Sequence, residues 1–137
     1  MALIIKDNNV AELKARLEEL LQQKDIEFSR MKPSKLPEKA GVYVISDSCD
    51  MPLYIGRTKN LKQRLYYNHL MGHLSNACLK KYLINARVVK DKEEAKEFIF
   101  QNCKVRWIFE EDYRMRGFLE GYFTGIFAPD FGIDLEH

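Results

Sequence analysis

The chain has 137 residues, of which 46% are hydrophobic and 31% are charged. This length fits one domain that buries a core without disulfides or a structural metal. The three cysteines, at wide spacings and with no Cys-x-x-Cys pair, are therefore expected to be reduced thiols rather than zinc ligands. No apolar run approaches the roughly 20 residues that cross a bilayer, and residues 1–9 carry no secretory cleavage pattern. We therefore expect a cytoplasmic protein with no membrane partner.

The net charge is only +2, but the charges are unevenly distributed along the chain. Residues 51–90 contain no Asp or Glu and eight Lys or Arg. Because the total is +2, these eight cations leave −6 on the rest of the chain. A polyanion such as DNA would be attracted to the first part and repelled by the second. The alternative is a solvated helical surface that happens to lack acids.

The first predicted element is an amphipathic helix that begins near Asn9. Its apolar positions recur at helical spacing and share one face: Val10, Leu13, Leu17, Leu20 and Leu21. The spacing of Asn9 and Glu12 predicts a capping pair at its start. Pro33 and Pro37 then end helical structure among polar residues. We therefore predict an N-terminal helix and linker over residues 1–36, a main domain over residues 37–134 and the start of an expression tag over residues 135–137.

Two short runs rich in β-branched and aromatic residues follow, over residues 42–46 and 52–57. The turn-like segment DSCDMP between them predicts an antiparallel hairpin. Residues two apart in a strand share a face of the sheet, so Tyr54 lies on the same face as Gly56. A suitable register would place Tyr54 and Tyr43 over one surface beside glycine, where another group can approach the backbone.

The rest of the chain predicts helices and strands in this order: a helix from Leu61 to about Leu70 capped by Asn60, a helix over residues 76–85 capped by Ser75, a short strand over residues 86–90, a helix over residues 92–102, a strand over residues 103–109 and a helix over residues 111–127. The last helix carries Phe118, Tyr122 and Ile126 every four residues and ends before Pro129. The fold class is therefore α/β, in the α+β sense, with a small and mostly antiparallel sheet flanked by helices.

Two charged residues stand beside apolar neighbours that should pack inward. Arg64 lies between Leu61 and Leu65, and its guanidinium suits phosphate because it offers paired donors and keeps its charge. Glu120 lies among aromatic and aliphatic residues and needs a partner, which is either a nearby arginine or a divalent cation such as Mg²⁺. For each residue taken alone, a salt bridge is the simpler interpretation.

Taken together, these motifs resemble the GIY-YIG endonuclease superfamily. Gly41-Val42-Tyr43 matches the first motif, with Val in place of the commoner Ile, and Tyr54-Ile55-Gly56 matches the second. Thr58, Leu61 and Arg64 follow at the typical spacing. The resemblance covers residues 40–133, and although each tripeptide alone is weak evidence, the ordered set is specific.

The resemblance implies a three-stranded antiparallel sheet flanked by helices, in a nuclease that hydrolyses DNA phosphodiester bonds with one divalent metal. Carried over to this chain, Tyr43 acts as or assists the general base, and Tyr54 positions water and phosphate. Arg64 stabilises the developing negative charge, and Glu120 holds Mg²⁺ or Mn²⁺. The expected contacts to DNA are Gly56, Arg57, Thr58, Lys59, Lys62, Lys80 and Lys81.

The segment after Arg64 departs from the family pattern. Many members carry His or Tyr four residues beyond the arginine, where this chain has Asn68. Either neighbour, Tyr67 or His69, could substitute, and the sequence does not choose between them. We include His69 among the candidate catalytic residues.

The end of the domain departs as well. The segment APDFG offers Asp130 and Gly132 where members usually have an Asn, which would weaken the organisation of the substrate. Glu97, on the preceding predicted helix, is a rival to Glu120 as metal ligand. We prefer Glu120 because the strand before it and Pro129 after it fit the family better.

Two other functions are compatible with these features. A catalytically weak or inactive binding module would keep the fold and the basic surface. A structural adaptor would use the N-terminal amphipathic helix to bind a protein partner or a second copy of the chain, but this function does not explain the hairpin.

Overall fold

A computed structural model describes residues 2–72 and 78–134; the predicted Ser75 cap and the tag-like residues 135–137 lie outside this part. The elements in chain order are α1 (Asp7–Gln22), β1 (Ile26–Glu27), β2 (Gly41–Asp47), β3 (Pro52–Thr58), a π-helix (Gln63–Leu70), α2 (Cys78–Asn85), α3 (Lys92–Asn102), β4 (Cys103–Phe109) and α4 (Tyr113–Phe127). None of the described helices has the length and apolar character of a membrane span.

The sheet has four strands in the order β1-β4-β2-β3, and every pair is antiparallel. The prediction of three strands is therefore wrong by one. The additional strand, β1, consists of Ile26 and Glu27, which pair with Val105 and Lys104 of β4. Two residues are too few to show an alternating pattern, so the sequence carries no signal for this strand.

The short strand expected over residues 86–90 is also wrong. This segment turns back on the end of α2, where the N–H groups of Ala86 and Val88 donate to the carbonyls of Tyr82 and Leu83. Arg87 has a φ of 59°. These hydrogen bonds use the backbone groups that a strand partner would need.

Both faces of the sheet are covered, and strict alternation along β2 divides its residues between them. Tyr43 and Ile45 face the π-helix, α2 and α3, and we call this side the tyrosine face. Val42 and Val44 face α1 and α4, and we call this side the valine face. Gly41 to Ile45 are all buried, because β2 is an inner strand with layers on both sides.

Helix α1 packs against the valine face of its own chain. Leu20 is buried there, and Leu13 and Leu17 pack beside it, whereas Val10 and Leu21 remain about half exposed. The predicted cap is wrong, because the helix begins at Asp7 and no side chain caps its first turn. The division of the chain at residue 36 and the adaptor function stay predictions.

Helix α4 begins at Tyr113, two residues after the predicted start, and packs mainly through a face next to the one that carries Phe118 and Ile126. Leu119 and Phe123 are buried, whereas Phe118 and Ile126 are roughly half exposed. Each pair marks one face of the helix. The two faces are offset by one residue, which corresponds to a rotation of about 100° around the helix axis. Since apolar residues surround the helix, the spacing alone did not fix its orientation.

The glycines of α4 and β3 should respond in opposite ways to an added methyl group. A Cβ at exposed Gly121 meets nothing, so Gly121→Ala is expected to raise the free energy of unfolding by about 0.5–1 kcal/mol through helix propensity. A Cβ at Gly56 would run into the phenol of Tyr43, so Gly56→Ala is expected to destabilise the fold. Urea denaturation of both variants measures the difference, and equal effects would contradict it.

Candidate active site

The register of the hairpin brings the two motif tyrosines together. Tyr43 lies opposite Gly56, and Ile45 lies opposite Tyr54, so both phenols are on the tyrosine face as alternation predicted. Their ring centroids are 6.4 Å apart with an interplanar angle of 29°. Because a Cβ at Gly56 would overlap the Tyr43 ring, the missing side chain lets the phenol lie across the backbone of β3.

The π-helix decides which residue after Arg64 reaches Tyr43. A π-helix bonds each N–H to the carbonyl five residues earlier, as Met71 does to Tyr66 at 2.9 Å. The extra residue per turn brings the fifth residue after Arg64 into the place that a regular helix gives to the fourth. This residue is His69, which is fully buried with its Nε2 atom 2.7 Å from the Tyr43 hydroxyl. Tyr67 is partly exposed instead.

Arg64 also forms a hydrogen bond with the Tyr43 hydroxyl, so that Tyr43, His69 and Arg64, three of the predicted residues, are linked. Its Nε donates to the Tyr43 oxygen at 3.2 Å. Arginine cannot accept a hydrogen bond, so the phenol oxygen is the acceptor on this side and its own proton can point to His69 Nε2. That arrangement places the imidazole proton on Nδ1, which has no hydrogen-bond partner among the described residues.

Burial keeps His69 neutral. Desolvation lowers its pKa from 6.5 to about 3, and the positive charges of Arg64 and Lys80 add to the effect. An uncharged imidazole can accept a hydrogen bond from the phenol, but full transfer of the phenol proton to the imidazole is unfavourable. His69 is therefore suited to orient Tyr43 rather than to carry a charge.

Tyr54 lies at the open side of this cluster. Its ring is 5.2 Å from the His69 ring and 6.3 Å from the Tyr82 ring. Gly132, at a φ of +97°, lies so close that a Cβ would be 3.2 Å from the Tyr54 ring. A side chain at this position would press against Tyr54, and the positive φ favours glycine.

The segment that carries Gly132 runs beside the free edge of β3. The N–H groups of Asp130 and Phe131 donate to the carbonyls of Pro52 and Leu53, at 3.2 and 2.9 Å. The chain end is thereby held against the strand that carries Tyr54. Sequence reasoning did not find Tyr82, because its helix carries none of the motifs.

Glu120 lies on α4, which packs against the valine face, whereas the tyrosine cluster lies on the opposite face of the sheet. Its carboxylate is 3.8 Å from the guanidinium of Arg57. Burial raises the pKa of Glu120, and the charge and the backbone N–H of Arg57 partly oppose that rise. The partner is thus Arg57, not Arg114 or Arg116. Since Gly56 precedes Arg57 and lies under Tyr43, the acid and the phenol approach consecutive residues of β3 from opposite sides.

The rival acid and one expected DNA contact are not positioned for the roles considered. Glu97 is exposed on α3 and accepts a hydrogen bond from Gln101 of the same helix. Lys80 is 3% exposed, and its amine donates to the carbonyls of Leu70 and Gly72 at 2.7 and 3.1 Å. Burial lowers its pKa to about 8. Lys80 is therefore not available as a surface contact to DNA, because its amine caps the C-terminal end of the π-helix.

The other expected DNA contacts differ in their access. Arg57, Lys59 and Lys81 are exposed. Lys62 lies 3.5 Å from Glu38, a distance at which an exposed pair contributes little. The remaining two serve the hairpin itself: the hydroxyl of Thr58 bonds both the N–H and the carbonyl of Asn60, and Gly56 is covered by Tyr43.

The buried imidazole predicts a loss of stability in acid. The pKa of His69 is lower in the folded chain than the unfolded value of 6.5, so its contribution is complete above pH 6.5 and is lost as the pH falls toward 3. The expected loss is about 1.4 kcal/mol per pH unit in this window. Urea denaturation between pH 7 and 4 measures it, with His69→Gln as the non-titrating comparison. An equal slope in both proteins would contradict the prediction.

Comparison with known proteins shows what this chain is similar to. Residues 39–102 match the model of the GIY-YIG catalytic domain. The UvrABC system protein C of Rickettsia rickettsii is 27% identical over 140 residues, which cover 80% of this chain and 22% of that protein. The homologous protein of Bdellovibrio bacteriovorus is 30% identical over 86 residues, covering 56% and 13%. The chain thus spans about a fifth or less of the curated relatives it matches.

Two crystal structures share the fold. Both are point mutants of the GIY-YIG N-terminal endonuclease domain of UvrC from Thermotoga maritima, bound to its catalytic divalent cation. The first has a TM-score of 0.52 and 20% identity, covering 80% of this chain and 99% of that domain. The second has a TM-score of 0.51 and 21% identity, covering 79% and 99%. The motif tyrosines lie on one face of the sheet, and residues 39–102, which contain them, are similar to the GIY-YIG catalytic domain.

Proposed function

We propose that this chain is a metal-dependent endonuclease that hydrolyses DNA phosphodiester bonds at the cluster around Tyr43. The observation that carries the proposal is the Tyr43 hydroxyl, which is bonded by His69 Nε2 at 2.7 Å and by Arg64 Nε at 3.2 Å. The match to the GIY-YIG catalytic domain and the similarity to a UvrC endonuclease domain support it. A cytoplasmic location stays a prediction.

The cluster suits the handling of a proton near a phosphate. His69 fixes the direction of the phenol proton, and Arg64 stabilises negative charge on the phenol oxygen. Complete transfer of the proton to His69 is unfavourable, because a phenol ordinarily titrates near 10 and burial lowers the imidazole pKa to about 3. His69 is therefore a positioning residue. For Tyr43 to be the base, its hydroxyl must first release its proton to solvent, and the phenolate, stabilised by the positive charge of Arg64, then takes a proton from the attacking water.

Glu120 fits the one protein ligand that the proposal needs. Its carboxylate is half-buried, and its Arg57 partner at 3.8 Å is too distant for a tight ion pair. Among the described residues there is no group of three metal-ligating side chains. Mg²⁺ often takes one or two carboxylates and fills its other positions with water and phosphate oxygens. Bound there, Mg²⁺ or Mn²⁺ would polarise the scissile phosphate.

A binding module without efficient catalysis is the second candidate. Tyr43 and His69 are fully buried, and the segment APDFG offers Asp130 and Gly132 where the resemblance leads us to expect Asn. A buried base needs a route for water and phosphate, and Tyr54 and Arg64, both only partly buried, lie where such a route would begin. This candidate keeps DNA as partner and removes the reaction.

Cleavage of supercoiled plasmid in Mg²⁺ or Mn²⁺ tests the proposal. We expect nicking that EDTA abolishes. Tyr43→Phe and Arg64→Gln remove the base and a charge-stabilising donor, so each should lower the rate about 100-fold or more. Glu120→Gln keeps the shape of the side chain and removes its charge, and it should lower the rate similarly.

Glu97→Gln is the matched control, because it makes the same change at the rival acid and should leave the rate within about twofold. Loss of cleavage in Glu97→Gln together with normal cleavage in Glu120→Gln would overturn the metal assignment. DNA binding by the unmodified chain without any nicking would support the binding module instead.

A further inference from the structure

A wide basic pocket lies between the end of β3 and the first turns of α4. Its volume is about 660 Å³. Four cationic side chains line it and no acidic one does: Arg57, Lys59, Arg114 and Arg116. Because the lining includes both the strand residue after Gly56 and the start of the helix that carries Glu120, the pocket adjoins the candidate metal ligand.

Three of the four cations are available to a ligand. Arg116 is buried, and its guanidinium donates to the carbonyls of Glu110 and Glu111, so it supports the pocket wall. Lys59 and Arg114 are exposed and have no acidic partner within 4 Å among the described residues. Arg57 is half-exposed, and its 3.8 Å contact with Glu120 neutralises little of its charge.

The acids just before α4 are mostly engaged elsewhere. A carboxylate oxygen of Glu110 is 2.6 Å from a guanidinium nitrogen of Arg16 in α1. Burial raises the pKa of Glu110, but hydrogen bonds from the backbone N–H of Asp112 and from Arg16 outweigh it and lower the pKa. Asp112 caps the helix by accepting from the N–H of Met115 at 3.1 Å. Glu111 remains exposed but does not line the pocket. The field inside the pocket is therefore positive.

Exposed aromatic rings stand beside these charges. Tyr113 is 70% exposed and Phe118 is 44% exposed, and both line the pocket. Arg114 lies over the Phe118 ring at 5.9 Å. Cations that track a phosphate backbone, together with aromatic faces on which bases stack, are typical of sites for unpaired nucleic acid. A duplex would bring phosphates but would keep its bases from Tyr113.

We propose that this pocket binds the sugar–phosphate backbone of a DNA strand at an unpaired nucleotide. Arg57, Lys59 and Arg114 contact phosphates, and Tyr113 stacks on a base. This inference rests on the proposed function, because it takes DNA as the partner. It adds which face of the domain the DNA strand follows and that the strand is unpaired there. The strand lies next to Glu120, so an unpaired nucleotide is held close to the candidate metal ligand.

Fluorescence anisotropy with a labelled oligothymidylate and with a duplex tests this inference. Binding is measured in EDTA, so that it does not depend on cleavage. Lys59→Gln and Arg114→Gln should each weaken single-strand binding by about threefold or more and should lower the salt slope by about 0.7 per lost phosphate contact. Tyr113→Ala should weaken single-strand binding by about fivefold or more and leave duplex binding unchanged.

Arg30→Gln is the matched control, because Arg30 has an 83% exposed side chain, lies outside the pocket and loses the same charge. Its affinity should stay within about twofold of the unmodified chain. Equal affinities of Arg114→Gln and Arg30→Gln would overturn the pocket, and an equal effect of Tyr113→Ala on both DNA forms would overturn the unpaired nucleotide. Binding that follows this pattern without nicking by the unmodified chain would leave the pocket standing and the endonuclease rejected.

Discussion

The absence of a side chain at Gly56 is the constraint on which the candidate site depends. It allows the Tyr43 ring to lie across β3, and the hydroxyl then reaches both His69 and Arg64. With a Cβ at this position, the ring would move and the buried His69 Nε2 would lose its hydrogen bond to Tyr43, at a cost of about 1–3 kcal/mol. Gly56 of the second motif is therefore needed for the packing of Tyr43 of the first motif.

The same strand joins the two sides of the domain. The tyrosine face carries the phenols, and the valine face carries α4 with Glu120. Both groups contact β3, where Gly56 lies under Tyr43 and Arg57 lies beside Glu120. Arg57 also lines the basic pocket, so β3 connects both faces of the sheet with that pocket.

Strong local periodicity explains what the sequence could predict. The hairpin, α3, β4 and α4 have the expected positions because their apolar residues repeat every two or every three to four residues over a long enough run. The choice of His69 over Tyr67 depends on one extra residue in a helical turn. The spacing of residues in the sequence does not show that this turn is a π-helix. The two residues of β1 and the rotation of α4 depend on contacts with distant parts of the chain. Lys80 illustrates the same limit, because its charge is visible in the sequence and its burial is not.

The chain segment beside β3 has a consequence for solubility. Unpaired strand edges invite a strand of another molecule, which is a common start of aggregation. Here Asp130 and Phe131 already occupy carbonyls of β3, Pro52 offers no N–H, and the opposite border of the sheet is only two residues long. The carbonyls of Pro52 and Leu53 are therefore not available to a foreign strand. The C-terminal segment thus protects the first residues of β3 from pairing with another copy of the chain.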